Sequence, residues 1–268
     1  MRLALLGGTG SIGREVLAQA LAGGHQVRAL VRDPAGLEVS LDGLEVVVGA
    51  ATNGAAVAEL VAATDAVINA LGPKRNSRDQ VELFEQIARN LVAAMQQHGV
   101  KRLITLSGAA VDAPGDQKSI LDRGASRLVR IFVPHVVAAK QREFSVIRKT
   151  DLDWTAVRPP RVVDGPRTGH YNAGTIPLGF GTITTGDLAD FMLRELIDER
   201  YVRSSVRCYR PGSQELAPPR RNGARWRRQP PPPGARCQRQ PRIPLVIGQA
   251  SGYTGSRVPV GSTRTSVV

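Results

Sequence analysis

A short apolar run, a glycine-rich turn and a segment of helical period follow one another within the first 25 residues. The run Leu3–Leu6 is typical of a buried strand, and the helical period begins at Arg14. Between them lies one continuous turn, Gly7-Gly8-Thr9-Gly10-Ser11-Ile12-Gly13. A lone glycine motif is a weak signal, but the order strand, glycine turn and helix narrows the possible folds sharply.

The spacing of the glycines points to a ligand at this turn. The early glycines permit the tight turn, Gly10 lets the backbone approach a pyrophosphate, and Gly13 allows close packing of helix on strand. Backbone N–H groups of the turn then face phosphates at the positive end of the helix dipole. The alternative is an ordinary strand-to-helix turn. The predicted dinucleotide-binding residues are Gly7, Thr9, Gly10, Ser11, Ile12 and Gly13.

Apolar runs rich in β-branched residues alternate with longer segments of helical period along the first 200 residues. The predicted strands are Leu3–Leu6, Gln26–Val31, Leu44–Val48, Ala66–Ala70, Arg102–Leu106 and Trp154–Arg158. The predicted helices are Arg14–Ala22, Ala55–Ala63, Gln80–His98 and Leu188–Leu196. This alternation predicts an α/β protein with a doubly wound, mostly parallel sheet.

Two segments, 111–137 and 161–183, interrupt the alternation and are rich in glycine, proline and charge. Insertions of this kind in a doubly wound sheet follow the carboxyl ends of strands, where ligands bind. We therefore expect them to form the walls of a small substrate-facing region. For residues 111–137, plain surface loops are an equally good interpretation.

The positive charge of the chain is concentrated in its last 65 residues. The formal net charge is +13, but residues 204–268 hold 12 arginines and one acid, and 10 of the 18 prolines. We expect a domain over residues 1–209 and a disordered Arg/Pro-rich tail over residues 210–268. The tail is either an arm that contacts nucleic acid, with Trp226 stacking, or an addition without function, such as the translation of a shifted reading frame.

Other classes of protein are excluded by composition. Cys208 and Cys237 are too few for a disulfide framework or a cysteine metal site, and no metal is expected. No apolar run approaches the roughly 18 residues needed to cross a membrane, and Met1–Leu6 is too short for a signal peptide. The sequence thus predicts a cytoplasmic protein that acts on a small molecule, and it leaves the oligomeric state open.

The end of the second predicted strand indicates which dinucleotide is bound. Sites selective for NAD place an acid there for the ribose 2′-hydroxyl, whereas this strand ends in Arg32, followed by Asp33. A guanidinium can hold the 2′-phosphate of NADP with two hydrogen bonds, which favours NADP(H) over NAD(H). In the alternatives, Arg32 is solvated and Asp33 binds the ribose, or Asp33 merely starts the next turn.

Six segments together resemble a known family: Gly7–Gly13, Val31–Asp33, Asn90–Met95 with His98–Val100, Leu152–Thr155, Arg158–Pro160 and Asp190–Leu193. They are similar to the atypical short-chain dehydrogenases/reductases. The branch is the NAD(P)H-binding one, which includes flavin reductase/biliverdin-IXβ reductase and NmrA-like proteins. The resemblance covers about residues 1–209 and implies a single Rossmann-like domain.

The resemblance also implies positions for the rest of the cofactor. Ala70, Leu71 and Gly72 would pass along the ribose, although any tight turn after a strand contains such residues. Ser107 would lie near the nicotinamide and Lys140 near its ribose, with both as catalytic candidates that orient and polarise. A solvated helix-surface lysine is the alternative for Lys140. The carboxamide side would be held by the segment Pro159–Arg161, with Pro160 and Arg161 as the candidate contacts.

Two departures from the family pattern bear on mechanism. Many members use Tyr-x-x-x-Lys for proton transfer, but Val136 stands four residues before Lys140, and no tyrosine precedes His170. Relatives often carry an acid beside the adenine, where this chain has Ala50-Ala51-Thr52. We therefore expect hydride transfer from NADPH to a flavin, quinone or similar conjugated acceptor. The alternative is a regulatory protein that senses NADP(H) without turnover.

Overall fold

The computed structural model describes residues 1–37, 41–112, 120–174 and 181–210. The strands are β1 (Arg2–Leu6), β2 (Gln26–Val31), β3 (Leu44–Val48), β4 (Ala66–Asn69), β5 (Arg102–Leu106), β6 (Asp153–Val157), β7 (Val162–Val163), β8 (Asn172–Gly174), β9 (Ile183–Thr184) and β10 (Ser204–Tyr209). The helices are α1 (Ser11–Ala22), α2 (Gly54–Val61), α3 (Asp79–His98), α4 (Ile120–Phe132), α5 (Pro134–Ile147) and α6 (Thr185–Asp198).

Among the described residues, eight strands form the main sheet in the order β3-β2-β1-β4-β5-β6-β10-β8. All neighbours are parallel except β8, which runs antiparallel to β10. The order reverses between β1 and β4, so the connections after these strands leave in opposite directions. In open α/β sheets, ligands bind at such a switch point, outside the carboxyl ends of the strands.

Helices cover both faces of this sheet, which explains why its central strands, such as β1 and β4, are mostly apolar. Successive residues of β1 point to opposite faces, with Ala4 and Leu6 in one buried cluster and Leu3 and Leu5 in the other. The first cluster includes residues of α2, α3 and α5, and the second includes residues of α1 and α6. The predicted Rossmann-like, doubly wound α/β class is confirmed.

The structure corrects the element prediction at several places. The segment 111–137 contains α4 and the start of α5, so the interpretation of its described part as plain loop is wrong. Strand β10 was not predicted, and β4 and β6 each end one residue earlier than expected. The predicted tail lies outside the described residues except for Arg210, so its disorder and its possible functions stay predictions.

The sequence predicts neither a membrane-spanning segment nor a metal site, and the described part of the chain can be searched for both. There, no helix is both long enough and apolar enough to span a membrane. No cluster of three or more His, Cys, Asp or Glu side chains in that part has the arrangement needed to hold a metal ion. The cytoplasmic location stays a prediction.

Candidate functional site

The glycine turn packs directly against the connection that follows β4. Gly7 has a φ of +85°, a conformation that glycine adopts without strain. A Cβ atom at Gly7 would lie 2.9 Å from the carbonyl carbon of Ala70 and 3.0 Å from the amide nitrogen of Leu71. At Gly13, a Cβ atom would lie only 2.0 Å from the carbonyl oxygen of Gly7. Side chains at either position would push apart the turn, α1 and the β4 connection.

The amino end of α1 lies at the switch point and has no side-chain cap among the described residues. The helix begins at Ser11, and Gly10 before it has no side chain that could cap the first turn. Gly10 donates its N–H to the carbonyl of Gly7 over 3.0 Å, which closes the turn. Thr9 and Ser11 are exposed, whereas Ile12 packs partly against the core. The geometry fits an anion bound at the helix N-terminus.

At the end of β2, the two charged residues have different surroundings. The carboxylate of Asp33 accepts the N–H of Ala35 over 3.0 Å and caps the short 3₁₀ turn Pro34–Gly36. The Arg32 side chain is exposed and has no ion pair among the residues that the structure describes. Asp33 therefore does start the next turn, and Arg32 remains available to an anionic ligand.

The connection after β3 is attached to α3 by two amide side chains. Asn90 Nδ2 donates to the carbonyl of Ala51 over 3.1 Å, and Gln86 Nε2 donates to that of Thr52 over 3.3 Å. Asn53 caps α2 by accepting the N–H of Ala55. Although no acid stands at this connection, its backbone is held at the carboxyl edge of the sheet.

Lys140 is enclosed at the carboxyl ends of β4 and β5. Only 5% of the residue is exposed, so the alternative of a solvated helix-surface lysine is wrong. Its Nζ donates to the carbonyl of Leu71 (2.6 Å), to that of Leu106 (2.8 Å) and to Oε2 of Glu143 (2.7 Å). Burial raises the pKa of Glu143 above its usual range, although Lys140 and Asn69 act in the opposite direction.

Ser107 follows β5 and carries a buried hydroxyl. Its backbone N–H donates to the carbonyl of Val157 over 2.7 Å, which extends the pairing of β5 with β6. Within the described ranges, Ser107 Oγ is buried and has no hydrogen-bond partner. Buried hydroxyls are normally satisfied, so this one is available to a group that enters the site.

The backbone after Ser107 is held by Arg158, which is 1% exposed at the end of β6. Its guanidinium donates to the carbonyls of Gly108 (3.4 Å), Ala109 (3.2 Å) and Val111. It also donates to Oγ of Ser205 in β10 over 3.1 Å. The buried guanidinium of Arg158 thus holds several carbonyls of the connection after β5 in place.

The segment after Pro160 is attached to α6 rather than free. The carbonyl of Arg161 accepts the N–H of Ile183 over 2.9 Å. The Arg161 side chain is exposed, and Pro160 is half-buried. Further along, the carboxylate of Asp187 accepts the backbone N–H groups of Thr168 (2.5 Å) and Gly169 (2.9 Å). Burial by itself would raise the pKa of Asp187, but these hydrogen bonds lower it overall.

Most of the residues singled out in the sequence lie along the carboxyl edge of the sheet. The glycine turn contacts Ala70 and Leu71, and Lys140 joins Leu71 to the residue before Ser107. Among the described residues, no heavy atom lies within 4 Å of a hypothetical Cβ atom at Gly72, so its packing against them does not require glycine. The structure shows no contact that assigns a role to Pro160 or to the Arg161 side chain.

Sequence reasoning missed three residues of this edge. The sequence pattern predicts no role for Asn69 or Glu143. Arg158 belongs to a segment that carries the family resemblance, but the resemblance implies no role for it. The spacing of Lys140 and Glu143 on one helix does indicate an ion pair. Nothing local shows that this pair is buried, or that Arg158 turns inward, because both depend on distant segments.

The chain belongs to the NAD(P)H-binding family, whose model matches residues 7–199. Among its relatives, the protein YwnB of Bacillus subtilis (strain 168) is 28% identical over 179 residues, which span 65% of this chain and 79% of YwnB. A (4-alkanoyl-5-oxo-2,5-dihydrofuran-3-yl)methyl phosphate reductase of Streptomyces griseus is 33% identical over 154 residues, 57% of this chain and 45% of that enzyme.

A solved structure shows the same fold. ChuY, an anaerobillin reductase from Escherichia coli O157:H7, superposes with a TM-score of 0.66 at 19% identity. The match covers 82% of this chain and 100% of ChuY. This likeness confirms the Rossmann fold, and the family model confirms the predicted resemblance to the NAD(P)H-binding branch.

Proposed function

We propose that this protein is an NADPH-dependent reductase that transfers hydride to a flat, conjugated small molecule such as a flavin or a quinone. The observation that carries the proposal is a glycine turn and a helix N-terminus at the switch point, with no phenol–lysine couple beside them in the described part of the chain. The nicotinamide supplies the hydride when it is bound, and the protein orients it and its acceptor. An acceptor of this kind takes its proton from solvent, so no side-chain acid is required.

The side chains that could form a proton-transfer couple are occupied or absent. Val136 stands where the family pattern has its tyrosine, one helical turn before Lys140. Tyr171, the first tyrosine of the chain, donates its hydroxyl to Asp190 over 2.8 Å and packs edge-on against Phe191. Burial, together with the Asp190 carboxylate, raises the pKa of Tyr171 well above its usual range. Neither position offers a phenol ready to ionise.

The relatives support reduction as the reaction class. The Streptomyces protein is a reductase, and ChuY is a reductase of anaerobillin. The chain spans less than half the length of the Streptomyces enzyme, so neither substrate transfers directly. What the comparisons support is hydride transfer as the chemistry, with the acceptor chosen by this chain's own pocket.

The surroundings of Arg32 and Asp33 support NADPH over NADH. A 2′-phosphate requires a cation at the end of β2 and no carboxylate in competition for the ribose. Asp33 Oδ1 is engaged by the N–H of Ala35, while Arg32 is exposed and lacks an ion pair within the described part of the chain.

Replacing Arg32 by alanine should weaken NADPH binding by about 10- to 100-fold, because a charge-assisted contact to phosphate contributes about 1.5–3 kcal/mol. NADH affinity should change little, since NADH has no 2′-phosphate. Fluorescence titration of both cofactors against both proteins measures this. Arg89→Ala is the matched control, because Arg89 is an exposed arginine paired with Glu85 on α3. Equal affinities of the native protein for NADPH and NADH would contradict the assignment.

Steady-state oxidation of NADPH tests the reductase proposal. With FMN, riboflavin and a soluble quinone as acceptors, we expect turnover well above the protein-free rate with at least one of them. The second candidate, a cofactor-sensing regulatory protein, is favoured by the same lack of a phenol–lysine couple. A sensor would bind NADP and NADPH in a calorimeter and leave NADPH unoxidised with every acceptor, which would refute the reductase proposal.

A further inference from the structure

The ammonium group of Lys140 has no N–H left for a ligand. An ammonium has three N–H donors, and here they are directed to the carbonyl of Leu71, the carbonyl of Leu106 and a carboxylate oxygen of Glu143. The ring of Phe84 lies on a further side, with its centroid 4.9 Å from Nζ. A direct bond to a ribose hydroxyl would require one of the three existing bonds to break.

The carboxylate that pairs with Lys140 continues the network to the strand ends. The second oxygen of Glu143 accepts from Asn69 Nδ2 over 2.7 Å, and Asn69 Oδ1 accepts the N–H of Leu71 over 3.2 Å. Asn69 Nδ2 also lies 3.3 Å from the hydroxyl of Thr105 in β5. We refer to Lys140, Glu143, Asn69 and Thr105 as the Lys140 network. It meets the backbone of Leu71 from two directions.

The ends of this network are the backbone segments that a dinucleotide would touch beyond its pyrophosphate. Leu71 belongs to the connection that packs against Gly7, and Leu106 immediately precedes Ser107 with its unpartnered hydroxyl. The network therefore sets the separation of two neighbouring connections. It also encloses one cation and one carboxylate, so no net charge from this pair faces the site.

We propose that Lys140 is a positioning residue that binds no cofactor atom itself and acts together with Glu143. It holds the connections after β4 and β5 at the spacing that the nicotinamide half of the dinucleotide needs. The proposal rests on dinucleotide binding, which the family establishes, and does not depend on which acceptor is reduced. It replaces the ribose contact that the resemblance implies for this lysine with contacts to the protein backbone.

The experiment compares Lys140→Met, Glu143→Gln and the double variant with the native protein. Each protein is titrated with NADPH and with 2′,5′-ADP, which carries only the adenosine half. We expect both single variants to bind NADPH about tenfold more weakly, and the double variant to bind it no more weakly than either, because the two residues act as one unit. Affinity for 2′,5′-ADP should stay within about threefold of native. Lys149→Met, at an exposed lysine just after α5, serves as the control.

The outcomes separate this proposal from its alternatives. If Lys140 contacted the ribose, Glu143→Gln would keep or improve NADPH affinity while Lys140→Met weakened it, and the proposal would be wrong. A parallel loss of NADPH and 2′,5′-ADP binding would show a general structural defect and would also overturn it. If Lys140→Met does not fold, the near-isosteric Glu143→Gln tests the proposal by its affinities for NADPH and 2′,5′-ADP. These affinities can be measured even if no acceptor is reduced, because they depend only on dinucleotide binding.

Discussion

Replacing Gly13 by alanine should reduce NADPH binding by at least about 100-fold, because displacements of about 1 Å at a site have effects of this size. The added Cβ atom would lie 2.0 Å from the carbonyl oxygen of Gly7 and 2.7 Å from its carbonyl carbon. Both are backbone atoms of the turn, so no side-chain rotation relieves the clash. Either α1 moves away from β1 or the turn opens, and both changes misplace the N–H groups that face the phosphates.

Calorimetric titration with NADPH measures this loss, with circular dichroism to verify that the variant is folded. Gly124→Ala is the control, because Gly124 is an exposed glycine inside α4 whose hypothetical Cβ atom meets nothing within 4 Å. Alanine at that position should stabilise the helix by about 0.5–1 kcal/mol and leave binding unchanged. If Gly13→Ala bound NADPH within about threefold of native, the turn would not be the phosphate site.

Replacing Arg158 by methionine should destabilise the protein by about 3–5 kcal/mol, as expected when a buried charged partner is removed from its acceptors. The guanidinium donates to three carbonyls of the β5 connection and to Ser205, and the residue is only 1% exposed. For a domain of this size the expected fall in Tm is roughly 10 °C. Thermal and urea unfolding measure it.

The same variant should also impair the site, because the backbone after Ser107 loses the hydrogen bonds from Arg158. We expect weaker NADPH binding at temperatures where Arg158→Met is still fully folded. Arg200→Met is the control, since Arg200 is a largely exposed arginine just after α6, and its replacement should change stability by no more than about 0.5 kcal/mol. An Arg158→Met protein as stable as the native one would show that these carbonyls are satisfied in another way.

The elements that sequence reasoning predicted well are those with strong local signals. The stripe of α3 repeats at helical spacing, and Gly99 ends that helix in the left-handed conformation with a φ of +69°. Strand β10 was missed although Val206 and Cys208 alternate with more polar neighbours, because half of its residues are polar. Helix α4 was missed because the glycine, proline and charge of segment 111–137 favoured a loop. Its described side chains from Leu128 to Phe132 are exposed.

By itself, the sequence determined the class of fold and the position of the glycine turn at which we propose that the dinucleotide binds. The reason is that both signals are local. A glycine turn works because its residues lack a Cβ atom, which the sequence shows directly, and strand–helix alternation is visible in the order of apolar residues. Only the tertiary structure decided the state of Lys140, Glu143 and Arg158. Their partners stand up to 74 residues away in the chain, and a buried cation differs from a solvated one only in what surrounds it. Local spacing cannot specify those surroundings; the packing of α5 and β6 against the sheet does.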